Sequence, residues 1–528
     1  MTARVESTCT LPGEVSGLRG LEKSAKSVVV KMPAERRVER RDEESRERGT
    51  TRTHCKRRAG GRKTRGVATA AATPCGAGCG MSGFLSGSQG WPSSRKWWRE
   101  GTRRNVMSRH MEAEVTLENV LEAHNVRRAW KAVKANAGAA GVDGRDIEHT
   151  RIHLRLHWAD IEQKLRGEQY RPGAIREVTI PKAKGGTRTL GIPNVQDRLI
   201  QQAILQVLTP VFDPGMSTHS YGFRPGRSAH DAIDAARAYV AAGKTWVVDI
   251  DLKNFFDQIN HDKLMHAVSR QVRDKRLLEL IGAYLRAPMQ AIDGNQRARH
   301  RGTPQGGPLS PLLANIYLHS LDCELTKRGV AFVRYADDIA IFAGSERAAK
   351  RILASVVEWI EGELKIEVNR SKSGTGPSQD TQLLGLRIHS AGEVSVAPHA
   401  LKRMKERVRE IWERRRHRTV DELKTCWKGY IEGWWNYFCY ANVRAEVYRL
   451  SGWIRRHMRK YFWQRWHHPK GRANALRRLG VRGRGLGVAW CSHGAWPMAR
   501  HVVVQQALKS ARLERAGFGI PWALASKP

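Results

Sequence analysis

Three aspartates carry the chemistry this sequence offers. Asp337 and Asp338 stand side by side in Phe332-Val333-Arg334-Tyr335-Ala336-Asp337-Asp338-Ile339-Ala340-Ile341-Phe342, where apolar residues flank a polar tip. That pattern predicts strand, tight turn, strand. Two adjacent carboxylates repel each other unless a cation neutralises them, and hard oxygen ligands suit Mg²⁺. Exposed turns carry acidic pairs too, so the pair by itself decides little. The third aspartate, Asp251, closes the apolar run Trp246-Val247-Val248-Asp249-Ile250-Asp251. One carboxylate at a strand end and two on a hairpin can together hold two metal ions for in-line phosphoryl transfer. Strand alternation puts Asp249 on the same face one pair earlier, as an alternative ligand or a support.

The elements that must position these acids can be read on either side of them. Leu117 to Val133 has the spacing of an amphipathic helix, ending in the glycine-rich loop Asn136 to Gly144. Val178 to Pro193 predicts a hairpin turning at Gly185-Gly186, with Lys182 and Arg188 beside the turn, placed to clamp a triphosphate. A helix over Gln196 to Val207 follows. Ser228 predicts the cap of a helix over Ala229 to Val240. In Gly302-Thr303-Pro304-Gln305-Gly306-Gly307-Pro308-Leu309-Ser310-Pro311, proline and glycine fix a backbone that can approach a ligand closely, and Ser310 and Pro311 are the expected cap and first residue of a helix. Leu364 to Asn369 predicts a short strand. From Ala400 the periodicity becomes helical: Leu401, Met404, Val408 and Ile411; then a capping box at Thr419 and Glu422 before Leu423, Trp427, Ile431 and Trp434; then Val447, Leu450, Ile454, Met458 and Tyr461.

Composition narrows the partners. The 528 residues hold 92 Lys and Arg against 51 Asp and Glu, a formal net charge of +41, which points to a polyanion such as nucleic acid. There is no apolar run long enough to span a bilayer, no lipidation signal and no secretory leader, so a cytoplasmic protein without a membrane partner is expected. Of the eight cysteines only Cys75 and Cys79 are close, without a second pair, so reduced thiols are expected rather than a zinc site. Residues 1–106 keep no period for long; they are expected to be a basic, low-complexity, disordered extension, with Met107 and Met111 as alternative starts and an RNA-binding arm as the rival interpretation.

Tyr335-Ala336-Asp337-Asp338 resembles the signature hairpin of reverse transcriptases, and Asp251-Leu252-Lys253-Asn254-Phe255-Phe256-Asp257 resembles their first catalytic strand. The chain from about residue 115 to 528 is most similar to the reverse transcriptase/maturase encoded within bacterial group II introns. The wording of its motifs, with no Cys-pair or His-Asn-His nuclease, is nearest the class C proteins that lack an endonuclease. The resemblance implies an α+β fold: a right-hand polymerase of fingers and palm, a helical thumb/maturase domain and a small basic C-terminal region. The expected divisions are 107–240 for the N-terminal helix and fingers, 241–395 for the palm, 396–469 for the thumb, and 470–528 for a DNA-binding region.

It further implies RNA-directed DNA synthesis with two Mg²⁺ ions on Asp251, Asp337 and Asp338. Lys182, Arg188, Phe256, Gln305 and Lys372 would meet the deoxynucleoside triphosphate, Phe256 excluding a 2′-hydroxyl. Arg224 and Arg227 would face template or primer phosphates, and Leu383-Leu384-Gly385-Leu386 resembles the primer-grip turn. Gly433-Trp434-Trp435-Asn436-Tyr437-Phe438 resembles a maturase signature, and on the third helix of that region Arg455, Arg456, Arg459 and Lys460 are the candidates for RNA phosphate. The implied partners are the group II intron RNA, an RNA template with its DNA primer, and a DNA target, in the bacterial cytoplasm. Two rivals stay open. A splicing-only maturase with a silent polymerase is opposed by the three intact aspartates; a retron or diversity-generating enzyme is opposed by the basic thumb and the tail after residue 470.

Overall fold

A computed structural model describes residues 114–181, 187–413, 419–441 and 444–524. Lys182 and the first 106 residues, and with them Cys75 and Cys79, lie outside the described residues. The expected first helix is two: α1 (Leu117–Leu121) and α2 (Ala123–Asn136). The break falls at Glu122, whose ψ of 130° leaves the helical region. After α3 (Ile147–Arg166), strands β1 (Ile175–Pro181) and β2 (Thr187–Ile192) form the expected hairpin, in register from Arg176↔Ile192 to Pro181↔Thr187. Helix α4 (Val195–Phe212) buries Leu199, Ile200, Ile204 and Leu208 in one core with α1 and α2. Ser228 caps α5 (Ala229–Ala241) in a reciprocal capping box with Asp231.

The palm begins with β3 (Trp246–Asp251) and the short α6 (Phe255–Gln258), α7 (His261–Ser269) and α8 (Lys275–Arg286). Short strands β4 (Met289–Gln290) and β5 (Gln296–Arg297) extend the β1–β2 sheet. Helix α9 (Ser310–Lys327) leads into β6 (Ala331–Tyr335) and β7 (Asp338–Ala343), then α10 (Glu346–Trp359) and β8 (Gly374–Pro377). The palm sheet runs β6-β7-β3-β8, all antiparallel. The strand expected over residues 364–369 is not formed: Ile360–Leu364 is a π-turn, Lys365 adopts a left-handed conformation, and only Val368 bridges to Leu252. The place beside β3 goes to β8 instead.

This sheet is buried on both faces, and strand alternation sorts its residues between two cores. Val248, Ile250, Phe332, Ile339 and Ile341 join α4, α9 and α10 on one side. Val247, Val333, Ala340 and Phe342 join α5 and everything that follows on the other. There β9 (Leu386–Ile388) and β10 (Val394–Val396) precede α11 (Pro398–Ile411), α12 (Val420–Phe438), α13 (Arg444–Arg465) and α14 (Pro469–Arg478). The capping box at Thr419 and Glu422 starts α12 as the sequence predicts. The C-terminal residues share this core. Phe518 and Trp522 are buried, the Trp427 indole donates to Gly519 O at 3.0 Å, and that of Trp522 donates to Ser451 Oγ at 2.7 Å. Among the described residues no helix is long and apolar enough to cross a membrane.

Candidate active site

The site lies where the helix-covered face of the palm sheet runs out of apolar cover. Asp251 ends β3 and Asp338 begins β7, and the two are direct cross-strand partners. By alternation both project to the face that carries Val247, Ala340 and Phe342, as does Asp249 one pair earlier. Asp337 belongs to the two-residue turn Ala336-Asp337 that joins Tyr335 to Asp338. Ala336 sits at φ 59°, in the region that favours glycine, so the turn must be held from outside. Part of that hold is Gly222: a Cβ there would fall 2.3 Å from Ala336 N, so only glycine lets the Tyr221-Gly222 segment lie against the turn. Tyr221 N also donates to Arg334 O, and Arg334 N to His219 O, each at 2.9 Å.

Crowding shows in the electrostatics. Burial, reinforced by Asp337, Asp249 and Asp251, pushes the Asp338 carboxyl up to about 7. Burial and the charge of Asp251 push Asp249 up to about 6. Asp337 is also raised by burial, against a lowering pull from Arg188. The Asp251 carboxylate has a cation beside it: Lys372 Nζ stands 3.2 and 3.3 Å from its two oxygens. Ser373 Oγ accepts from Asp251 N at 3.0 Å, tying the Lys372 segment to the strand end. Among the described residues no set of three or more His, Cys, Asp or Glu side chains is gathered closely enough to hold a metal ion. The donor set, hard carboxylate oxygens short of positive charge, still suits a divalent cation.

The glycine-rich stretch before α9 is a bracket between the β1–β2 hairpin and the palm. Arg188 Nε donates to Gln305 Oε1 at 2.7 Å, and Gly191 N to Gln305 O at 3.2 Å. A Cβ on Gly306 would fall 2.3 Å from Gly191 O. On the palm side Thr303 N donates to Phe256 O and Gly302 N to Ile259 O, both at 2.7 Å. Phe256 itself is half-buried, edge-on to Phe255 with ring centres 5.2 Å apart. Ser310 does not cap α9 as expected. Its hydroxyl donates to Pro304 O at 2.8 Å and so closes the bracket instead.

Some candidates have other employment. Arg224 does not face phosphate: its side chain is only 5 % exposed and bonds Asp213 Oδ1 at 2.7 Å, with further bonds to carbonyls of Asp213, Ser217 and Ser220. It fixes the loop before α5. Arg227 lies over the Tyr221 ring and donates to Thr218 O. On α13, Arg456 lies 5.3 Å from the Trp496 ring centre and Arg459 donates to Leu508 O at 3.3 Å, so both hold the C-terminal segment. Arg455 and Lys460 stand half-exposed on the same helix. The resembled primer grip is a tight turn with Leu384 at φ 53° and Gly385 at φ 82°, closed by Leu383–Leu386 bonds and held by the Tyr437 hydroxyl on Leu384 O. Sequence reasoning missed Arg334, Asp322 and Asn315, though a lone arginine inside the apolar strand Phe332-Val333-Arg334 signals a buried counter-charge.

Residues 180–388 match the family model for reverse transcriptase (RNA-dependent DNA polymerase), and residues 401–480 match that for the group II intron, maturase-specific domain. Protein YkfC of Escherichia coli (strain K12) is 33% identical over 275 residues, 45% of this chain and 72% of that protein. The group II intron-encoded protein LtrA of Lactococcus lactis subsp. cremoris is 39% identical over 163 residues, 31% of this chain but only 27% of LtrA. Among solved structures, a chain of a partial Cas6-RT-Cas1–Cas2 complex is 27% identical, covering 46% of this chain and 42% of that one, with a TM-score of 0.31. Palm, hairpin acids and helical region thus define a reverse transcriptase with a maturase-specific domain. The chain belongs to the family of group II intron-encoded reverse transcriptase/maturases.

Proposed function

We propose that the protein is an RNA-directed DNA polymerase that also binds its intron RNA to assist splicing and copies that RNA into cDNA during retrohoming. The observation that carries this is the direct pairing of Asp251 with Asp338 across β3 and β7, beside Asp337 in the turn. Asp251, Asp337 and Asp338 would hold two Mg²⁺ ions, which when bound activate the primer 3′-hydroxyl and stabilise the leaving pyrophosphate. Lys372 covers Asp251 meanwhile and, once displaced, is free to meet triphosphate. Arg188 and Gln305, already joined, orient the nucleotide from the hairpin side together with Lys182. Phe256 lies under the sugar and screens its 2′ position. The helical region supplies phosphate contacts from Arg455 and Lys460, with the intron RNA, an RNA template with its DNA primer, and the DNA target as successive polyanions. The class C assignment and the bacterial cytoplasm belong to this proposal as well.

The test separates the two activities within one chain. Protein with Asp337→Asn and Asp338→Asn should make no cDNA on a primed RNA template yet still promote intron splicing at low Mg²⁺. RNA binding through phosphates does not need the acids, and two fewer negative charges in a basic cleft should not weaken it. Normal cDNA synthesis by this variant would mean that the site lies elsewhere. Loss of splicing support by folded, RNA-binding protein would mean that the two functions share these residues.

A further inference from the structure

The turn that carries Asp337 and Asp338 is tethered to a buried ion pair. Arg334 in β6 and Asp322 in α9 both have side chains 0 % exposed. The guanidinium donates through Nε to Asp322 Oδ1 at 2.7 Å and through Nη2 to Asp322 Oδ2 at 2.5 Å. Its remaining branch turns the other way. Nη1 donates to Asn315 Oδ1 at 2.8 Å and to Ala336 O at 3.0 Å. Asn315 Nδ2 in turn donates to Gly222 O at 2.8 Å, and Gly222 is the residue pressed against Ala336 N. Guanidinium, Asn315 and Gly222 thus grip the turn from both sides of Ala336.

We infer that Arg334 is a positioning residue: paired with Asp322, it fixes the Ala336–Asp337 peptide and thereby the two hairpin carboxylates. Stability alone does not ask for this arrangement. A buried ion pair is expensive to desolvate, and two apolar side chains of similar volume would seat β6 on α9 at least as well. What apolar residues cannot do is hold the Ala336 carbonyl. Ala336 sits at φ 59°, which a non-glycine residue keeps only where its surroundings over-determine it. The planar fork of arginine, fixed at two points by Asp322, leaves one N–H pair aimed at that carbonyl and at Asn315. The consequence for rate rests on the polymerase activity proposed above; the hold on the turn does not.

The experiment compares wild-type protein, the apolar pair Arg334→Met with Asp322→Leu, and Arg334→Lys, which keeps the charge pair but lacks the fork. Two quantities are read: hydrogen exchange of the amides over 335–338, and the single-turnover rate of primer extension at saturating primer–template. Both variants should exchange at least about tenfold faster in that segment, with α9 and β7 protected as in wild type once the turn relaxes. Extension should fall about 100-fold, as for a misplacement of about an ångström at the reacting groups, while primer–template affinity stays unchanged. Should the apolar pair fail to fold, Arg334→Lys gives the same comparison. Wild-type exchange at 335–338 in a folded variant overturns the inference, as does a wild-type extension rate. Faster exchange together with a wild-type protein that makes no cDNA upholds the tether and rejects the polymerase proposal.

Discussion

In the palm, Asp251 and Asp338 meet because β3 and β7 pair in one register, and a slip of one residue would turn either carboxylate to the opposite face. The helical region has no such point. Helices α11, α12 and α13 bury Ile411, Trp427, Ile431, Ile454 and Met458 and leave their arginines and lysines spread over what remains. A reacting centre needs a few atoms at fixed distances, whereas an RNA backbone is met by many charges, each contributing a little. The same chain therefore holds one region where a single atom matters and another where only sums do.

The largest effect should come from breaking the palm side of this contrast. Asp251→Asn removes one charge and nearly no volume, and should slow extension on a primed RNA template by on the order of 10³-fold or more. Retention of even a tenth of the wild-type rate would show that Asp251 is not essential there. On the helical side, Arg455→Ala with Lys460→Ala should flatten the log–log salt dependence of intron RNA binding by about 2 units, near one for each phosphate that is no longer neutralised, with Arg456 and Arg459 left to hold the C-terminal segment. Either substitution alone should give about half of that. An unchanged slope would place the RNA surface elsewhere.

The smallest effect concerns the acids at rest. The Asp338 carboxyl is raised to about 7 and that of Asp249 to about 6, so both keep protons that the unfolded chain gives up at lower pH. Folded protein binds more protons between about pH 4 and 7, and stability contributed by this pair falls as pH rises through that window. Because Asp338 is exposed at the strand end, solvent screens part of this effect, and protein kept without Mg²⁺ should melt only slightly lower at pH 8 than at pH 5.5 relative to Asp338→Asn. An identical pH trend in Asp338→Asn would locate the effect in other groups.

The local half of this architecture was legible in the residues. Apolar runs ending in Asp251 and broken at Asp337 predicted both strands, and Ser228 and Thr419 announced their helices, because each depends on neighbours in sequence. What escaped depends on partners on other elements, beyond the few neighbours a local pattern reads. Arg334 in β6 finds Asp322 on the preceding α9, and Arg224 is turned inward by Asp213, so counting basic residues could not separate a buried arginine from one facing solvent. Leu364 to Asn369 has strand-like alternation, yet β8 takes the edge of β3 because Ser373 and Lys372 are anchored at Asp251. The close approach at Gly222 has no local sign either. It becomes visible only when Tyr221-Gly222 and Tyr335-Ala336 are seen back to back.

The two-sided palm sheet also sets an order of events during synthesis. Val247, Ala340 and Phe342 are covered by a core that includes Ile431, Ile454 and Trp522. When the ribosome has just finished β7, only α5 and Tyr221 of that core have been made, and the residues through Ile431 take on the order of ten seconds more to emerge. For that interval the nascent palm is an adhesive surface carrying its acids beside it. Its cover is complete only once α12, α13 and the C-terminal residues exist, so the sheet and the helical region mature together.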